Sequence, residues 1–311
     1  MTAAIEVEGL WRNFGSTTAV EDLSFSVRQG EVFGFLGPNG AGKTTTIRML
    51  CTLIKATKGT AYIKGLDVSN PQEALKIRRF IGLLPETPGL YDKLSAYRNL
   101  DFYARLYEVD ERERRIRIEW LLKMLGLWER RDEPVAVFSK GMRQKIAIAR
   151  AMVHDPLVLF LDEPTASLDP ESAKTVRDFI LKLKEEKRTI FLSTHNLDEA
   201  ERLCDRVGII KSKLIAIGTP DELRSKIWRR RTVIHLVKVK EDMVQAVKNI
   251  KEVENLQILE NSIICEVDDP DSVNPRIIET LVAAGGKIRY VTELRRSLED
   301  VYLEVVRRRS E

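Results

Sequence analysis

Apolar residues in this chain fall into two kinds of pattern. Short unbroken runs at 31–36, 81–84, 157–161, 189–193 and 207–210 have the length and composition of strands buried on both faces. They alternate with longer stretches of helical character, which predicts a mostly parallel sheet covered on both faces, an α/β core. Between about 91 and 153 the rhythm changes: stretches such as 101–107 and 111–125 are helical and highly charged, with no strand between them, so a helical subdomain is inserted. Past 219–220 the helical pattern ends in Trp228, Arg229, Arg230 and Arg231, and an alternating segment opens at 233–239. The remainder reads as strand, helix (242–250), two strands (256–259 and 263–267), helix (272–284), strand (287–291) and a final helix, a βαββαβ arrangement. The expected organisation is a first domain at 1–222, a linker at 223–231 and an accessory domain at 232–311. In the last helix Leu298, Val301, Tyr302 and Val305 recur at helical spacing, so one face is expected to pack in a core.

A length of 311 residues suits two cores. The net charge of +4, from 51 basic and 47 acidic residues, does not call for a nucleic-acid partner, and the basic triplets at 229–231 and 307–309 read as solvent-facing element ends. Cys51, Cys204 and Cys265 are scattered, which points away from a disulfide framework or a zinc site and fits a reducing compartment. The first residues show no secretory leader, and no apolar run approaches the ~20 residues needed to cross a bilayer, so a membrane role needs a partner.

Candidate chemistry sits at the ends of the apolar runs. The run at 31–36 enters Gly37, Pro38, Asn39, Gly40, Ala41, Gly42, Lys43 and Thr44, followed by a helical stretch at 44–53. Strand, glycine loop and helix together make a phosphate-binding loop, in which backbone N–H groups approach phosphate oxygens and Lys43 reaches the terminal phosphates. Thr44 is the expected Mg2+ ligand. The run at 157–161 ends in Asp162 and Glu163, two acids at the sheet edge where ligands bind. Asp162 suits Mg2+, and Glu163 suits activation of an attacking water. Ser139, before the helical run 140–153, reads on its own as an N-cap.

Taken together, Gly37 to Thr44, the segment Ser139-Lys140-Gly141-Met142-Arg143-Gln144 and Asp162-Glu163 resemble the ATPase subunit of an ATP-binding cassette (ABC) transporter, over about residues 4–222. The resemblance implies a P-loop NTPase core with an inserted helical subdomain, here followed by a small α+β domain. It implies that Ser139 and Gly141 contact the γ-phosphate of ATP held by a second copy, in a head-to-tail dimer with two ATP at its interface. It also implies that Thr45 belongs to the phosphate site, that His195 hydrogen-bonds the γ-phosphate and helps hold water and Glu163, and that Asp169 couples the two sites. Phe14 matches the aromatic that stacks on adenine, although Trp11 or an ordinary core role explains an aromatic there equally well. Glu86 stands where most members carry Gln; its carboxylate can coordinate Mg2+ but cannot donate an N–H. Lys140, Met142 and the segment 298–304 resemble the branch that exports drugs, ions, lipids or polysaccharides. The implied partner is an integral membrane permease, with this chain peripheral at the cytoplasmic face of the membrane. A soluble ABC-type ATPase working on ribosomes, DNA or cofactor assembly is the alternative; a single cassette without a long heptad region fits it poorly.

Overall fold

The computed structural model describes residues 3–293 except 88, 228, 229 and 268, together with 299 and 302. Leu298, Val301 and Val305 of the helical repeat near the C-terminus lie outside the described residues, as do Arg229 and the triplet 307–309. The chain divides into two compact units, Met1–Pro220 and Asp221–Glu311.

The first unit begins with β1 (Ala3–Phe14), β2 (Thr17–Arg28) and β3 (Val32–Leu36), then α1 (Lys43–Leu50), β4 (Lys58–Ile63), β5 (Leu66–Asp67), α2 (Pro71–Phe80) and β6 (Ile81–Leu84). There follow α3 (Ala96–Leu106), α4 (Glu111–Met124), α5 (Lys140–Met152), β7 (Val158–Asp162), α6 (Pro170–Glu185), β8 (Thr189–Thr194), α7 (Leu197–Leu203), β9 (Arg206–Lys211) and β10 (Lys213–Gly218). A six-stranded sheet runs β10-β9-β3-β8-β7-β6, parallel throughout except for the β10–β9 edge. Strands β3, β7 and β8 are buried at every residue, which is why the unbroken apolar runs mark them.

The expectation of a parallel sheet sandwiched by helices needs one correction. Strands β2-β1-β4-β5 form a second, antiparallel sheet, and it packs against the first. Leu10, Val20, Phe25 and Val27 share one core cluster with Phe33, Phe35, Phe160 and Phe191, and the Phe25 ring stacks 5.5 Å from that of Phe33. A sheet can cover another sheet because alternate residues of β2 are apolar and point the same way.

Between β6 and β7 the described residues hold α3, α4 and α5, as the charged helical stretch requires. Ser139 caps α5 by accepting from Met142 N at 3.3 Å. Buried Asn99 ties the entry loop of α3 by accepting from Tyr91 N and donating to Tyr91 O, at 2.9 and 3.0 Å.

Helix α8 (Pro220–Ile227) opens at the junction between the units, and β11 (Arg230–Leu236), α9 (Glu241–Lys248), β12 (Val253–Leu259), β13 (Ser262–Val267), α10 (Pro270–Ala283) and β14 (Ile288–Glu293) follow. Their antiparallel sheet runs β12-β13-β11-β14, the split βαβ topology. Ile234, Leu236, Ile263 and Cys265 face Met243 and Val247 of α9 and Ile277 and Leu281 of α10 in a core of their own. Arg231, from the basic run, is bound at 2.7 Å to Glu266 on the neighbouring strand.

Candidate active site

The parallel register places Leu36 opposite Thr194, Asp162 opposite Ser193 and Leu84 opposite Leu161. The phosphate loop, Glu163, His195 and Glu86 therefore leave the sheet at one edge, the edge where open α/β sheets bind ligands.

The loop itself is shaped by two glycines. Gly42 has φ +97°, and a Cβ there would lie 2.4 Å from Ala19 O; one at Gly37 would lie 2.4 Å from Ile210 O. Only a residue without a side chain lets the backbone pass this close to its neighbours. Pro38, Asn39 and Gly40 are exposed, Ala41 is buried, and Thr44 and Thr45 are half-buried in the first turn of α1. Lys43 is buried, and its Nζ donates to Gly37 O at 2.7 Å and Pro38 O at 3.2 Å.

That ammonium also lies 3.2 Å from Glu163 Oε1, while Glu163 Oε2 lies 2.8 Å from His195 Nδ1. Three segments far apart in sequence thus meet at one carboxylate, which is 14% exposed beside a 54% exposed imidazole. Glu163 adopts φ +51°, a left-handed conformation that costs a non-glycine residue about 1–2 kcal/mol. Its N–H meets Ser193 O at 3.1 Å and Ser193 Oγ at 3.2 Å, and Ser193 Oγ donates to Asp162 Oδ1 at 2.5 Å. Ser193 therefore orients both acids.

The residues expected to hold a divalent ion, Thr44, Asp162 and Glu86, offer oxygen donors only. No group of three or more His, Cys, Asp or Glu among the described residues forms a metal cage. Such a set fits Mg2+, which takes one or two protein carboxylates and completes its shell with substrate phosphates and water. Glu86 is exposed two residues beyond β6, the strand paired with β7, which ends at Asp162.

Ser139, Gly141 and Asp169 form a second cluster. A Cβ on Gly141 would stand 2.3 Å from Ser172 Oγ and 3.1 Å from Asp169 Oδ2, so the start of α5 is pressed against the start of α6. Asp169 caps α6 by accepting from Ser172 N at 2.8 Å, and that hydrogen bond holds its carboxyl below the usual range. Among the described residues no hydrogen bond or ion pair joins Ser139 or Gly141 to Lys43. Gln144 links the two clusters within one chain, its buried Nε2 donating to Pro164 O at 3.0 Å. Phe14 ends β1, 48% exposed, with the Arg12 guanidinium 4.4 Å from its ring centre. The same hairpin passes the loop where Ala19 meets Gly42.

Sequence reasoning passed over Ser193 and Glu199, and it named Gln144 only as the end of the Ser139–Gln144 segment, without its bond to Pro164 O. Ser193 looks like one more small residue at a strand end. Glu199, three residues after the N-cap Asn196, has the spacing of an ordinary capping box. It does not act as one: Thr194 Oγ1 accepts from Asn196 N at 3.0 Å, and the carboxylate turns inward.

Comparison with known proteins agrees with this geometry. Residues 20–166 match the ABC transporter family, and residues 218–306 match the C-terminal domain of DrrA1-3-like ATP-binding proteins. Over 98% of its length the chain is 37% identical to an uncharacterized ABC transporter ATP-binding protein of Bacillus subtilis, YhcH, 96% of which is covered. It is 32% identical to the daunorubicin resistance ATP-binding protein DrrA2 of Streptomyces coeruleorubidus, over 99% of this chain and 96% of that one. A bacterial ABC transporter cassette solved as a dimer superposes with a TM-score of 0.64 at 27% identity, over 69% of this chain and 98% of that one. The soluble-ATPase alternative gives way, because these relatives are transporter subunits along nearly their whole length. The chain belongs to the ATP-binding subunits of ABC transporters, ATPases with a P-loop NTPase core whose hydrolysis of ATP is coupled to transport.

Proposed function

We propose that two copies of this chain close head to tail on two ATP molecules, and that closure and hydrolysis drive export through a separate membrane permease. The observation that carries the reading is the meeting of Lys43, Glu163 and His195 within hydrogen-bond and ion-pair reach.

In this reading the N–H groups of 37–44 bind the phosphates, and Lys43 neutralises the terminal ones. Glu163 Oε2, steadied by His195, accepts a proton from the attacking water as that water adds to the γ-phosphorus and ADP departs. His195 is exposed beside Glu163, placed to hydrogen-bond the γ-phosphate. Thr44, Asp162 and Glu86 are the residues that would hold Mg2+, which supplies charge neutralisation at the phosphates. Ser139 and Gly141 serve the nucleotide of the other copy. Asp169, against Gly141, passes the state of one site to the other, and Phe14 stacks on adenine.

No helix among the described residues is long and apolar enough to cross a membrane. In this reading the pathway belongs to the permease, and this chain sits peripherally on the cytoplasmic face. Leu53, Phe102, Leu106 and Tyr107 are exposed apolar side chains on or beside the helical segment and support contact with such a partner. Export, rather than import, is supported by the resistance protein among the relatives. Residues 1–222 act as the ATPase domain, and 232–311 as an accessory domain that adjusts closure.

The test is Glu163→Gln. The variant is expected to keep ATP binding, lose turnover by about 10²-fold or more, and run as an ATP-stabilised dimer in size-exclusion chromatography. Normal turnover would remove Glu163 from its role.

A further inference from the structure

Glu199 is among the most deeply buried carboxylates of the first unit, 3% exposed, and among the described residues its carboxylate oxygens are bonded by two threonine hydroxyls. Thr165 Oγ1 donates to its Oε1 at 2.6 Å, and Thr194 Oγ1 approaches its Oε2 at 3.3 Å. Thr165 lies two residues after Glu163 and Thr194 one residue before His195. One carboxylate thus spans the two turns that carry the hydrogen-bonded pair.

We propose that Glu199 is a positioning residue for hydrolysis, bridging Thr165 and Thr194 so that Glu163 and His195 stay in register for the attacking water. Each turn needs such a brace. Glu163 sits in the left-handed region and Ser167 beyond it has φ +58°, so the turn does not follow from local backbone preference. His195 is exposed, with its ring bonded to Glu163. The brace is anchored from behind, since Asn196 Oδ1 accepts from Glu199 N at 3.1 Å while Thr194 Oγ1 accepts from Asn196 N. Burial pushes the Glu199 carboxyl above the usual range, against the opposing pull of the two threonine hydroxyls and Arg177. An apolar side chain would suit this interior without that cost, so its polarity is kept for the two hydroxyls.

The inference rests on Glu163 and His195 being the catalytic pair, so Glu163→Gln is measured beside it in the full-length chain. Misplacing a reacting group by about an ångström costs up to 10²-fold, so Glu199→Ala is expected to lower kcat about 10-fold or more, with KM for ATP within about twofold. Thr165→Val, which removes one hydroxyl and little else, is expected to lower kcat as well. The double variant is expected to lose no more than the worse single one, the non-additivity of residues acting through one contact. Glu199→Gln, able to accept from one threonine and donate to the other, is expected to recover most of the activity. Folded Glu199→Ala or Thr165→Val with wild-type kcat, or a Gln variant no better than Ala, would overturn the bridge. If Glu199→Ala does not fold, Thr165→Val alone decides the question. Wild-type turnover in Glu163→Gln would instead remove the catalytic pair itself.

Discussion

His154 shows how burial sets the chemistry of one side chain. Its ring stacks on Tyr107 at 3.7 Å between centres, and Nε2 lies 2.8 Å from Ile81 O. With Nε2 donating, Nδ1 is left buried without a partner, so a second proton would find no acceptor. Burial pushes its pKa down, and Arg117 adds to that, against the opposing Ile81 carbonyl. Below about pH 6.5 the unfolded imidazole takes up a proton that the folded one refuses, so stability falls as pH drops from there towards the folded value. Above that pH both forms are neutral and the effect vanishes. His154→Phe, which keeps the stack on Tyr107, is expected to flatten the fall in Tm between pH 7.5 and 5.5, measured by calorimetry. At the same scale Lys43, Asp162 and Glu163 were legible because their chemistry is tied to short spacings next to apolar runs. Glu199 was not, since its spacing from Asn196 imitates a helix cap and only the tertiary contact with Thr165 shows where the carboxylate goes.

Elements are held together at this site by few, specific bonds. Helix α5 meets the turn after β7 through Gln144 and meets α6 through the bare Cα of Gly141. Gln144→Ala is expected to strand the buried Pro164 carbonyl at a cost of about 1–3 kcal/mol, read as a lower midpoint in urea unfolding. The strands of the parallel sheet were legible because burial on both faces leaves unbroken apolar runs. The antiparallel sheet was overlooked although β2 alternates cleanly, Leu23, Phe25 and Val27 inward with Ser24, Ser26 and Arg28 outward. That period-two signal says a strand is half-buried; it does not say that its cover is another sheet. In the second unit β11 starts at Arg230, within a basic run that reads as solvent-facing, because Glu266 on the adjacent strand pairs with Arg231.

For the whole molecule, the division after Pro220 predicts two separable foldings. Residues 221–311 have their own sheet and a core built from Ile234, Leu236, Met243, Ile263, Ile277 and Leu281. Expressed alone they are expected to unfold in one cooperative transition, with coincident far-ultraviolet and fluorescence signals; a non-cooperative melt would show that this core depends on the first unit. The sequence by itself determined the nucleotide chemistry, the parallel strands of the core sheet and the βαββαβ pattern, because each depends on residues close together in the chain. Tertiary structure decided which residues from distant segments share a carboxylate, that a second sheet packs on the aromatic core, and that a capping-type acid turns inward. These are contacts between positions tens to more than a hundred residues apart, such as Lys43 with Glu163 and Phe25 with Phe191. No local pattern encodes such a pairing; it exists only once packing has brought the segments together.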